Sequence, residues 1–102
     1  MRVLDALGRR WALRVLWELR DGPLTFRALR DACDGVSPSS LNHRLADLRA
    51  LGVVDRGERG YGLTRPGAQL SKVMLALHRW AEASPQLRRD ARAAKLPRQR
   101  TR

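Results

Sequence analysis

Apolar residues recur at helical spacing along most of this chain and switch to a short extended pattern once, across residues 53–63. Residues 3–20 read as helix, with Gly8-Arg9-Arg10 as a break or bend between a short helix and a longer one. From Trp11 to Leu19, the residues Trp11, Ala12, Leu13, Val15, Leu16, Trp17 and Leu19 cover nearly every side of the longer one. That is the pattern of a helix buried all round. A small domain can scarcely bury a whole helix by itself. The surplus reads either as a central core helix or as surface for a second chain.

Asp21-Gly22-Pro23 ends this run by turn chemistry. Thr25 is placed as the next N-cap, with Leu24 and Leu29 at the spacing of a hydrophobic staple. This helix extends to about Ala32, turns Phe26, Leu29 and Cys33 inward, and closes at Asp34-Gly35. Ser37 caps the following helix, Pro38 takes its first position, and Val36 and Leu41 repeat the staple. Leu41, Leu45 and Leu48 mark its buried side. At about 100° per residue, Ser39, His43, Ala46 and Ala50 fall opposite, with Asn42 and Asp47 beside them. Arg44 lies at the core boundary, where its stem packs and its head reaches out.

Gly52 ends that helix. Val53–Arg56 reads as a strand, Gly57-Glu58-Arg59-Gly60 as a tight turn and Tyr61–Leu63 as the return strand. Thr64 caps a last helix with Pro66 in its first turn. Leu70, Val73, Met74, Leu77, Trp80 and Ala81 form a broad apolar stripe on it, with Leu75 outside the stripe. Ser84-Pro85 restarts a marginal basic helix over 84–96, and 97–102 reads as disordered. The expectation is a mainly α domain with a small β-hairpin over residues 1–83, followed by a basic extension over 84–102.

Charge points this architecture toward a partner. The chain has 102 residues and a formal net charge of +11. Residues 88–102 hold seven basic residues against one acidic, a net +6; the preceding residues hold fourteen against nine, a net +5. The body is basic without its tail, which favours polyanions, nucleic acid before anionic membrane. The single cysteine excludes a disulfide framework and any Cys/His zinc spacing. No apolar run reaches the roughly 18 residues of a membrane span. The expectation is a cytoplasmic protein without metal or cofactor. His43 and His78 lie on different helices with no nucleophile–base motif, so an enzyme is the least favoured class.

Two helices joined by a short turn and followed by a hairpin make a winged helix-turn-helix. Residues 37–51 meet what its reading helix requires: one buried side, a polar outward side, and a capped N-terminus that favours phosphate. Asn42 suits adenine; Arg44 suits guanine or phosphate; His43 projects most directly outward. Ser37, Pro38, Ser39 and Ser40 stand at the helix entry, where phosphate is met. Arg56 and Arg59 on the hairpin suit phosphate or a minor groove, and Arg27 and Arg30 on the preceding helix suit the flanking backbone. Each has a bland alternative: a polar helix face is usually just solvated, Arg44 can simply pair with Asp47, and Arg59 can be an ordinary turn residue.

At these residues the chain resembles the HxlR family of bacterial transcriptional regulators, relatives of the MarR type. The resemblance runs over about residues 4–83. It is carried by Leu4-Asp5-Ala6-Leu7-Gly8-Arg9-Arg10-Trp11, by Leu16-Trp17-Glu18-Leu19 through Phe26-Arg27-Ala28-Leu29, and by Val36-Ser37-Pro38 with Leu41, Arg44-Leu45 and Leu48. Gly52-Val53-Val54 with Arg56, Tyr61, Leu63-Thr64, Gly67 and Trp80 complete it. The resemblance implies a homodimer that binds double-stranded DNA and is built from its N- and C-terminal helices. Leu4, Leu7, Trp11, Val15, Val73, Leu77 and Trp80 are then the interface candidates. Many members carry a Cys-Pro before the first helix, which has no counterpart here, and Cys33 falls at a usual core position. The Pro-x-Val-Glu segment that usually precedes the wing tyrosine is replaced by Gly57-Glu58-Arg59-Gly60. Wing contacts are therefore expected to be reduced, with the tail supplying charge. Trp11, Trp17 and Trp80 could line an effector pocket or serve as core and interface anchors.

Two competing readings stay open on sequence alone: a non-specific DNA- or RNA-binding protein driven by its tail, or a winged-helix protein-interaction module.

Overall fold

The computed structural model describes residues 1–85 and 87. Its elements are α1 (Arg2–Leu7), α2 (Ala12–Glu18), α3 (Phe26–Ala32), α4 (Pro38–Leu51), β1 (Val54–Gly57), β2 (Gly60–Leu63) and α5 (Arg65–Glu82). Its contacts divide into two compact units, Met1–Lys72 and Val73 onward, with the boundary inside α5. The expectations for 84–102 lie outside the described residues except at Ser84, Pro85 and Leu87.

The first unit is held by one apolar core. Ala12, Val15, Leu16 and Leu19 from α2 and its end meet Leu29 and Cys33 from α3, and Leu41, Leu45 and Leu48 from α4. Val36, Val53, Val54 and Tyr61 close it, and among the described residues no polar or charged side chain is buried. The expected caps form. Thr25 Oγ1 accepts from the Ala28 N–H at 3.1 Å, and Ser37 Oγ accepts from the Ser40 N–H at 3.1 Å. Thr64 Oγ1 accepts from the Gly67 N–H at 3.2 Å and donates to the Gly52 carbonyl at 2.6 Å. Each such cap satisfies a donor that a helix leaves open, worth about 1 kcal/mol.

Two expectations about the N-terminal helices need correction. The helix at Trp11–Leu19 is not buried all round. It begins at Ala12, and its Leu13 and Arg14 are exposed. Val15, placed in the dimer interface by sequence, is 0% exposed in the single chain. It stands three residues after Ala12 and four before Leu19 on the inward stripe, so it serves the core. The break between α1 and α2 falls across Gly8-Arg9-Arg10, where the sequence places it. Gly8 is right-handed, and Trp11 takes the left-handed backbone with φ 76°.

The hairpin pairs Val54 with Leu63, Asp55 with Gly62, Arg56 with Tyr61 and Gly57 with Gly60, leaving Glu58 and Arg59 as its tip. Its anchor has no signal in the sequence. Leu24 forms an antiparallel bridge with Tyr61, the Leu24 N–H donating to the Tyr61 carbonyl at 2.9 Å and the reverse bond measuring 2.8 Å. Gly60, at φ 107°, passes so near this segment that a Cβ would overlap the Leu24 carbonyl. Gly67 likewise lets the start of α5 lie against the Val53 carbonyl.

The described part of the second unit continues α5. Val73, Leu77 and Trp80, at i, i+4 and i+7, are 64%, 55% and 58% exposed. Ser84 Oγ donates to the Trp80 carbonyl at 3.0 Å, past the helix end.

Candidate nucleic-acid interface

The two faces of α4 differ as its spacing requires. Leu41, Leu45 and Leu48 are buried, while Ser39, Asn42, His43, Ala46, Arg49 and Ala50 are exposed. Ser39, Asn42 and His43 lie at i, i+3 and i+4 and so share one patch, continued one turn on by Ala46. Hydroxyl, amide and imidazole together supply donors and acceptors for base edges. The two alanines leave nothing bulky to hold the helix off a surface.

At its entry, Ser37 and Pro38 are exposed and Ser40 half-buried. The Ser40 N–H is occupied by Ser37 Oγ, and the Leu41 N–H by the Ser37 carbonyl at 3.0 Å. Gly52 closes the far end at φ 91°, with its N–H shared between the Arg49 and Leu48 carbonyls.

The arginines singled out from sequence separate into two groups. Arg27 and Arg59 are exposed and have no side-chain partner among the described residues. Arg56 is exposed, but its guanidinium stands 5.6 Å from the centre of the cross-strand Tyr61 ring. Arg30 directs Nε to the Val36 carbonyl at 3.5 Å, a long contact across the α3–α4 turn. Arg44 Nη2 lies 3.5 Å from Asp47 Oδ2, with only 18% of its side chain exposed. Its head is held along the helix, as its i, i+3 spacing allowed.

Two residues of consequence were missed. Arg49 is exposed on the last turn of α4, three residues beyond Ala46, a spacing legible in the sequence. Arg14 of α2 donates to the Ala32 carbonyl at the end of α3 at 2.8 Å, a contact with no sequence signal. Cys33 is fully buried behind that turn, as expected of a core residue. Burial pushes its thiol pKa up, partly opposed by the Arg14 charge.

Clefts among the described residues of the first unit include three near its helices and hairpin. One lies beneath the hairpin, lined by Pro23 and residues from Asp55 to Leu63. The second lies between α1 and α4, lined by Arg2, Asp5, Ala6, Arg9, Asp47, Ala50 and Leu51. The third lies at the α3–α4 turn. No tryptophan lines any of the three. Among the described residues, no group of three His, Cys, Asp or Glu side chains could hold a metal. No described helix is long and apolar enough to cross a membrane.

A helix capped by Ser37, a preceding helix across a short turn, and a hairpin following it constitute a winged helix-turn-helix. The family model for the HxlR-like helix-turn-helix matches residues 6–88. The chain belongs to the HxlR family.

A relative, the HTH-type transcriptional regulator sll1512 of Synechocystis, is 32% identical over 84 residues, 76% of this chain. The match spans 62% of that relative's own length. Bacillus subtilis YodB in its quinone-bound form superposes with a TM-score of 0.74 at 29% identity, covering 80% of this chain and 93% of YodB. An HxlR-family candidate transcriptional factor from Thermoplasma volcanium superposes at 0.72 with 27% identity, covering 79% of each chain. The two solved structures share the fold of this chain over about four fifths of its length.

Proposed function

We propose that this HxlR-family protein is a transcriptional regulator that reads double-stranded DNA sequence as a homodimer. The observation that carries the proposal is the outward face of α4, where Ser39, Asn42 and His43 stand exposed together on a helix capped by Ser37. Asn42 suits adenine in the major groove, His43 a base edge or phosphate, and the Ala46 methyl the methyl of thymine. Arg27, Arg49 and Arg59 suit the phosphates that set register without carrying sequence. Arg44 is demoted from a base reader, since Asp47 engages its head.

Dimerisation is supported by the exposed stripe Val73, Leu77 and Trp80, and separately by Val3 and Leu4 on α1, 50% and 57% exposed. Side chains of this size left open at helical spacing mark an interaction surface. Leu7 and Trp11 are half-buried and extend the α1 candidate set. A two-fold dimer would read a pseudo-palindrome with half-sites about 34 Å apart or a multiple of that. The place of action is the cytoplasm, where such DNA lies.

Selection of preferred sites from random duplexes is the direct test. A pseudo-palindromic consensus is expected. Asn42→Ala and His43→Ala should each cost about 1–3 kcal/mol and relax preference at one base position. No consensus from the selection, or wild-type discrimination in both variants, would reject the reading. A second reading, tail-driven non-specific binding, is favoured by the +6 carried on residues 88–102. Deleting those residues decides it: the regulator keeps its consensus and loses salt-dependent affinity, whereas a tail-driven binder loses nearly all binding.

A further inference from the structure

Arg14 occupies a surface position with a committed head. Its side chain is 42% exposed on α2. Yet Nε donates to Glu18 Oε2 at 2.8 Å and Nη2 donates to the Ala32 carbonyl at 2.8 Å, with Asp34 Oδ2 at 4.0 Å. Ala32 is the last residue of α3, so its carbonyl is one that the helix cannot satisfy internally. A cation there also meets the negative end of the α3 dipole. Glu18, one turn along α2, orients the guanidinium from behind, and that hydrogen bond raises the Arg14 pKa.

Beyond Ala32 the chain turns into α4. Cys33 and Val36 are buried within this turn, at 0% and 3% exposure, and Ser37 then caps α4. At the far end of the turn, Arg30 reaches the Val36 carbonyl. The turn is therefore held at its entry by a short bond from α2, with only a long contact from α3 at its exit. We infer that Arg14 is a positioning residue for α4, fixing the α3–α4 turn and through it the angle at which Ser39, Asn42 and His43 are presented. The inference rests on the reading of α4 as the DNA-reading helix.

Arginine suits this task because its planar fork donates to two acceptors at once; lysine offers a point charge on a flexible stem. Base-edge hydrogen bonds are sensitive to displacement because they weaken steeply with angle and distance. Phosphate attraction is far more tolerant. Loosening Arg14 should therefore reduce sequence discrimination more than general affinity for DNA.

The test uses Arg14→Lys and Arg14→Gln in the full chain, with Asn42→Ala/His43→Ala as reference, at a temperature where circular dichroism shows every variant folded. The first readout is hydrogen exchange at the Ser40 and Leu41 amides, both bonded to Ser37 in the first turn of α4. Both Arg14 variants should exchange there about tenfold faster, the equivalent of one charge-assisted hydrogen bond, with the Leu19 amide unchanged. Unchanged exchange at Ser40 and Leu41 overturns the inference.

The second readout is affinity for a selected operator against a random duplex. Arg14→Lys should lose about tenfold for the operator alone at an unchanged salt slope, since the charge is kept. Equal losses on both duplexes, with the slope of Arg14→Gln reduced by about 0.9, would make Arg14 a phosphate contact instead. Faster exchange with intact discrimination also overturns the inference, because α4 would then be held well enough without Arg14. If the wild type shows no operator preference, or the reference variant keeps it, the DNA-reading assignment fails. The exchange result still decides whether Arg14 sets α4.

Discussion

Arg44 and Asp47 face one another across a single turn of α4, Nη2 to Oδ2 at 3.5 Å, with the Asp47 side chain more exposed than that of Arg44. Arg44, which the sequence offers to guanine or phosphate or to Asp47, is thus engaged by its own helix. A pair of this kind contributes a few tenths of a kcal/mol to the helix. It also places a negative charge beside the outward face, since Asp47 adjoins Ala46 and stands four residues after His43.

Asp47→Asn separates these roles. It keeps the shape, releases Arg44 and removes a charge that repels phosphate. Affinity for duplex DNA should rise several-fold at low salt, with the gain shrinking as salt is added. Stability should change by less than about 0.5 kcal/mol, because the carboxylate is 40% exposed. Unchanged affinity across a salt titration would show that Arg44 and Asp47 lie away from the bound duplex.

Gly60→Ala probes the hairpin anchor. The new methyl would run into the Leu24 carbonyl, and φ 107° disfavours any L side chain. A loss of more than about 1 kcal/mol is expected, since both the backbone geometry and the Leu24–Tyr61 bridge must shift. Thermal denaturation measures it. Gly57→Ala is the control, because its Cβ would meet nothing within 4 Å; it should stay within about 0.5 kcal/mol.

Sequence carried the elements well because caps and stripes are local. Thr25, Ser37 and Thr64 each cap the helix assigned to them, and the Leu41, Leu45 and Leu48 stripe divides α4 correctly. What escaped notice is non-local. The Leu24–Tyr61 bridge joins segments far apart in sequence, and Arg14 reaches a carbonyl eighteen residues on. Val15 was misassigned for a related reason. Periodicity shows that a helix is apolar, but which of its apolar sides meets the chain's own core depends on how α3 and α4 fold back upon it.

Cys33 should behave as an inert core thiol. Its burial raises the pKa, opposed by the Arg14 charge, so the folded state holds the thiol proton more tightly than the unfolded chain does. Stability from this group is complete below the ordinary thiol range and declines as pH rises from that range through the raised folded value. At neutral pH, a thiol reagent should modify the native protein at least about tenfold more slowly than the urea-unfolded chain, because the thiolate is the nucleophile and neither it nor an access route is available. Equal rates would mean that the α3–α4 turn opens readily. Cys33→Ser should destabilise by about 1–3 kcal/mol, since it places an unpartnered hydroxyl in the core.

Leu77→Glu tests the proposed dimer face. Leu77 is 55% exposed midway between Val73 and Trp80 on α5, so a charge there disturbs little within the protomer. Opposite a partner it would be desolvated without a counter-charge, which costs several kcal/mol at an interface. Sedimentation should shift from dimer to monomer, while thermal stability extrapolated to low protein concentration stays close to that of the parent. Operator affinity should fall far more than the affinity for a single half-site, because two linked reading helices act at a high effective concentration and one does not. Should Leu77→Glu remain dimeric with an unaltered dissociation constant, the stripe on α5 is not the interface. The Val3 and Leu4 face of α1 would then be the next candidate, tested by Leu4→Glu in the same assay.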